Sequence, residues 1–165
     1  MLFRSSYVCY NVLYNEWDYG TLERTAWIDQ SILGGPLGAD ASGYVYEQET
    51  SNTNAGNPIN AYFKTGYFSL TNGNDLVFVD WMLPDMRWGG YSAAQDAQLT
   101  VYFNVVDYPG DTPSVYGPFT LTQATKFVTP RFRGRLVSIR IESSDIGSFW
   151  RLGNFRYRIQ QDGKY

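Results

Sequence analysis

Apolar and polar side chains alternate along most of this chain with a period of two, the signature of strands with one covered and one wet face. YVCYNVLY (7–14) reads as a strand that NEWDYG (15–20) turns, and TLERTAWID (21–29) as a second strand. SILGGPLGADASG (31–43) is a loop, YVYEQE (44–49) a short strand, and TSNTNAGNPIN (50–60) the longest polar excursion. AYFKTGYFSL (61–70) and DLVFVDWML (75–83) flank TNGN, whose Asn-Gly predicts a hairpin. A loop with Pro84, Trp88, Gly89 and Gly90 follows, and SAAQDAQL (92–99) offers at most one or two helical turns.

Beyond it the alternation sharpens. Leu99, Val101, Phe103 and Val105 oppose polar neighbours in AQLTVYFNVVD (97–107), and YPGDTPSVYGP (108–118) reads as a turn region before a strand restarts at Phe119. In RLVSIRIES (135–143), Val137, Ile139 and Ile141 point inward while Ser138, Arg140 and Glu142 point outward. NFRYRIQ (154–160) repeats the device, with Phe155, Tyr157 and Ile159 opposite Arg156, Arg158 and Gln160. Roughly eight to ten short strands about ten residues apart predict one all-β domain over 1–165, an antiparallel β-sandwich or jelly-roll-like fold with long loops and little helix. Residues 1–30 form a strand pair that could continue or dock on a neighbouring β-structure.

Composition changes this picture in three ways. Aromatic residues make up 18% of the chain, supporting strands, and charged residues only 18%, as suits a surface covered by neighbours. Residues 1–125 carry four basic side chains against thirteen acidic ones, whereas 126–165 carry nine against three, within a net charge of -3. Such asymmetry marks either a polyanion site or strands that salt-bridge to the rest of a sheet or to a partner, and the dispersal of the arginines favours the second. The single cysteine, Cys9, permits no internal disulfide and reads as a small buried apolar side chain. No run of about 18 apolar residues is present and the opening lacks the apolar stretch of a secretory signal, so no membrane partner is expected.

The chain has no histidine, which removes the commonest general base and metal ligand. No catalytic, metal-binding or cofactor-binding residues are assigned: nucleotide-cradling glycine motifs are missing, and GADASG (38–43) and NGND (72–75) lack the spacing of a calcium loop. Asp80 and Asp85, flanked by Trp81 and Trp88, could in principle form a two-acid glycosidase cleft, but a strand end and a turn explain them better. Trp81, Trp88 and Tyr91 could stack on sugar rings, giving an alternative function as a carbohydrate-binding sandwich that aids adsorption to a host. Direct contact with nucleic acid is not expected, because alternation sends the aromatics and arginines of 155–158 to opposite faces.

Four stretches carry a family likeness. VLYNEWDYGTLERTAWID (12–29) has W-x-x-G followed by R-x-A-W-x-D, and GYVYEQE (43–49) lies about a dozen residues beyond. GPFTLTQATKFVTPRFRGRLVSIRIESSD (117–145) has a strand, an R-x-R-G-R turn and an R-I-E-S strand, before DIGSFWRLGNFRYRIQQDGKY (145–165). Their order resembles the C-terminal portion of propeller-containing head-to-tail or tail-hub structural proteins of short-tailed bacteriophages, of the packaged-DNA-stabilisation type. The resemblance implies a non-enzymatic virion protein of the tail or neck, made in the host cytoplasm. It would act through protein–protein contacts with other tail or neck proteins, as a homo-oligomer in a symmetric ring. It makes Trp17, Gly20, Arg24, Trp27, Trp150, Arg151 and Gly153 fold-defining, with Gly20 allowing positive φ at a β-corner and Arg24 bridging carbonyls or a carboxylate. Arg140, Arg156 and Arg158 are the candidate interaction surface. The family's preceding propeller is missing from this sequence, which is compatible with a stand-alone product, a split gene or a domain excerpt.

Overall fold

The computed structural model describes residues 6–90 and 98–164, so Tyr91 and most of the segment considered for a helical turn lie outside the described residues. Among those residues the chain is all-β, and every strand pairing is antiparallel. Where the sequence suggested one domain, the chain divides into two compact units, Met1–Ser51 and Asn52–Tyr165.

In the first unit, β1 (Ser6–Asn11) and β2 (Glu16–Thr21) form a two-stranded ribbon, and β3 (Ala26–Ile28), β4 (Leu37–Ala39) and β5 (Val45–Glu47) form a sheet with β4 in the middle. The ribbon corrects two expectations. Its turn is VLYN (12–15), and NEWDYG is mostly the returning strand. Asn11 starts the turn, its side-chain oxygen accepting the N–H groups of Leu13 (3.0 Å) and Tyr14 (3.2 Å), and Asn15 closes it at φ 55°. Cys9 is exposed rather than buried: it stands opposite Asp18 on a ribbon whose strand residues other than Gly20 are all exposed.

The second unit is a two-sheet sandwich. One sheet has the order β10 (Ser114–Leu121), β9 (Leu99–Val106), β12 (Leu136–Ser143), β6 (Ala61–Lys64), with β7 (Phe68–Ser69) also paired to β12. The other has the order β11 (Phe132–Gly134), β8 (Asp75–Gly90), β13 (Ser148–Lys164). The expected alternation holds on β9 and β12: Leu99, Val101, Phe103, Val105, Val137, Ile139 and Ile141 are all buried. They meet Val77, Val79 and Met82 of β8 and Phe132 of β11 in one core. Phe103 sits at its centre, with its ring 5.3 Å from Phe132 and 5.9 Å from Phe119. The outer face of β12 is not all wet: Ser138 is fully buried, donating to the Thr65 carbonyl at 2.8 Å, while Thr65 Oγ1 accepts the Ile139 N–H at 2.9 Å.

Two further expectations are corrected here. TNGN does not close a hairpin, because β7 pairs with β12 while β8 joins the other sheet; Gly73 (φ 89°) serves a crossing between sheets. The segment 84–90 is no loop but the second half of β8. Pro84 is tolerated because it lies opposite Phe155, beside a bulge in β13, where β8 has β13 alone as its strand partner. That bulge falls at Gly153 and Asn154. A Cβ on Gly153 would stand 2.7 Å from the Asp85 carbonyl oxygen, so the strand can approach only without one.

Candidate interaction site

Six of the seven family-like residues, all but Arg151, make contacts that serve local architecture. Trp17 packs its ring 4.6 Å from that of Tyr10 across the ribbon. Gly20 is not among the glycines with positive φ; instead the Tyr7 ring lies over it, with the phenol oxygen 2.6 Å from where a Cβ would stand. Arg24 lays its stem against Gly38 and its guanidinium 4.0 Å from the centre of the Tyr46 ring, while Nη1 donates to the Glu23 carbonyl at 3.0 Å. Trp27 donates to Asp29 at 2.7 Å. Trp150 pairs with Trp88 on the inner face of its sheet and donates to Ser143 Oγ at 3.0 Å.

Asp40, inside the GADASG stretch, is committed to its own turn. Partial desolvation raises its carboxyl, but the N–H of Tyr44, the Tyr46 hydroxyl and the N–H of Ser42 together bring it below the ordinary range. In NGND, Asn72 accepts the N–H of Asn74 at 3.4 Å.

The glycan platform does not assemble. Residues 81 and 88 are seven apart on one unbroken strand, so they face opposite ways: Trp88 packs toward the core, whereas Trp81 lies outward with its ring 6.1 Å from that of Phe127. Asp80 and Asp85 form no acid pair either. Arg158 donates to both oxygens of Asp80 at 2.7 and 2.6 Å, and Arg156 donates to Asp85 at 3.1 Å. The Arg158 hydrogen bonds hold the Asp80 carboxyl below its usual range, the opposite of what a general acid near neutral pH requires.

Nor do the three candidate arginines share one surface. Arg156 and Arg158 lie on the outer face of the β11–β8–β13 sheet, while Arg140 belongs to β12 in the other sheet. There it pairs with Glu142 at 2.7 Å and sits 4.9 Å from the centre of the Tyr62 ring. Two ion pairs, Arg156–Asp85 and Arg158–Asp80, thus join the basic end of the chain to its acidic part, while Arg133–Asp162 at 2.7 Å lies within the basic end.

Two exposed surfaces stand out, the first of which the sequence offered only as a strand pair able to dock on a neighbouring β-structure. One is the ribbon. Its register puts Val8 opposite Tyr19 and Tyr10 opposite Trp17 on one face, and Cys9 opposite Asp18 and Asn11 opposite Glu16 on the other. Val8 is 70% exposed, Trp17 73% and Tyr19 74%, and the tip adds exposed Val12, Leu13 and Tyr14. An apolar face and an acidic face thus share one two-stranded ribbon. The correct turn position was the missing signal. The other is the outer end of β8 and β13, where Arg87 and Arg151 stand directly opposite each other. Compared with protein-family models and with curated proteins, the sequence finds no match.

Proposed function

We propose that this chain is a non-enzymatic structural component of a bacteriophage tail or head-to-tail neck, built into a symmetric assembly through protein–protein contacts. One observation carries the assembly part: the β1–β2 ribbon leaves every strand residue except Gly20 exposed, with Val8, Tyr10, Trp17 and Tyr19 aligned on one face. A two-stranded ribbon is marginal on its own, and clustered exposed aromatics are the composition of protein interfaces. The W-x-x-G pattern that resembles the phage proteins lies in this same ribbon, which supports the virion setting. Cross-strand packing of Tyr10 on Trp17 pre-forms the surface, lowering the ordering cost of docking.

The test is sedimentation of the full chain alongside Trp17→Thr and Val8→Thr. The wild type should form a discrete ring-sized oligomer, and each variant should dissociate it by about tenfold or more in concentration while leaving the unfolding midpoint of the second unit unchanged. A wild type that stays monomeric at high concentration, and is missing by mass spectrometry from purified particles that encode it, sinks the proposal.

A further inference from the structure

The outer face of the β11–β8–β13 sheet follows a pairing rule with one exception. Arg158 meets Asp80, Arg156 meets Asp85 and Arg133 meets Asp162, each basic side chain finding an acid on the same sheet. At the far end Arg151 is registered directly against Arg87, both exposed, and among the described residues neither has an acidic partner. Like charges directly opposite in an antiparallel pair destabilise it, so this row works against the sheet that contains it.

The geometry around the pair also restricts it. Phe149 and Gly89 occupy the next row on the same face, two residues along each strand. A Cβ on Gly89 would stand 2.8 Å from Phe149 Cδ1, so glycine is what lets the ring lie across the sheet there. The Arg151 guanidinium is 5.8 Å from the centre of that ring, a cation–π placement that limits its freedom. On the other side, the Gly153–Asn154 bulge separates the arginine row from the Asp85–Arg156 pair.

We propose that Arg87 and Arg151 form a two-guanidinium receptor for the carboxylates of an acidic protein segment. Each planar fork can hold one carboxylate through two parallel hydrogen bonds, and two forks in one row suit a segment with acids on alternate residues. The surroundings select against a long polyanion. Asp85 and Asp80 line the same face beyond the bulge, so a phosphate chain running along the sheet would meet carboxylates within a few residues. Positive charge confined to one row, bordered by an aromatic ring, suits a short acidic stretch instead. This surface belongs to the second unit alone and does not depend on the ribbon.

The test uses the full chain and a fluorescein-labelled peptide of alternating Glu and Gly, with a Gln–Gly peptide and a single-stranded oligonucleotide as comparison probes. Anisotropy at low salt should show saturable binding of the Glu peptide and none of the Gln peptide. Arg87→Gln with Arg151→Gln should weaken it at least about tenfold, while Arg156→Gln leaves it within about twofold. A second reading needs no ligand: Arg87→Gln should raise the urea midpoint of the free protein by relieving repulsion. The proposal is overturned by no Glu-peptide binding, by equal weakening in Arg156→Gln, by tighter binding of the oligonucleotide, or by a lowered midpoint in Arg87→Gln.

Discussion

Phe103 and Phe132 come from different sheets, and their rings, 5.3 Å apart at an interplanar angle of 36°, make a direct aromatic contact between the layers of the second unit. Both side chains are buried almost completely. Truncating either to alanine should cost about 3–5 kcal/mol, the sum of lost burial and an unfilled cavity. Domains of this kind hold about 5–15 kcal/mol in total. At about 2 kcal/mol per molar urea, each single variant should therefore lower the midpoint by about 2 M. The stronger statement concerns the pair. Since each ring forms part of the other's wall, the double variant should lose about 0.5–1.5 kcal/mol less than the two single losses combined. Equilibrium urea unfolding followed by the fluorescence of Trp88 and Trp150, both in this unit, measures all four forms. Additivity within about 0.3 kcal/mol, or a single loss below about 1 kcal/mol, would refute the packing of these two sheets face to face through that contact.

Two other substitutions probe the long β8–β13 pair. Gly153→Ala should destabilise the second unit by about 1–3 kcal/mol, because its Cβ meets the Asp85 carbonyl oxygen at 2.7 Å and backbone must move, and an unchanged midpoint would exclude that approach. Asp80 has a lowered carboxyl pKa from its Arg158 hydrogen bonds, so its contribution is present above the ordinary carboxylate range and is lost as pH falls through the lowered value. Asp80→Asn should accordingly flatten the fall of the urea midpoint on acidification from about pH 5 to about pH 2, and an equally steep fall would discount the pair.

The strands that read correctly from sequence are those with regular partners along their length. β9 and β12 pair residue for residue from Leu136↔Val106 to Glu142↔Thr100, so a strict period of two maps onto a buried face. β8 and β13 resisted because their regularity is broken in register rather than in conformation. Trp81 and Trp88 looked like neighbours in a loop, since Pro84 between them normally ends a central strand. The bulge at Gly153 that makes the proline tolerable lies about seventy residues away in sequence, where no local pattern points to it. The ribbon failed for a different reason. Polarity placed the turn at the polar stretch, whereas the turn is made by Asn11 and Asn15 on either side of three apolar residues. Apolar residues at a turn are a poor fit to an isolated domain, and that misfit was itself the signal of an apolar surface.

Charge shows most clearly what position along a chain can and cannot carry. The acidic excess before residue 126 and the basic excess after it are visible at once, and alternation correctly sends Arg156 and Arg158 to one face. Which acids meet them depends on a register containing three irregularities, at Leu152/Phe155, Arg158/Ile159 and Gln161/Lys164. The shift at Arg158/Ile159 places the extra residue in β8, at Asp80, where Arg158 engages both carboxylate oxygens. The same register sets Arg151 on Arg87, two positions before the first bulge. Moving that bulge to before Arg151 would change the partner of Arg151 alone, because the register beyond it, and with it Arg156 and Arg158, would stay the same. Gly153, the residue that lets β13 gain its extra position against Asp85, is thus the boundary between the exposed arginine row and the two neutralised arginines.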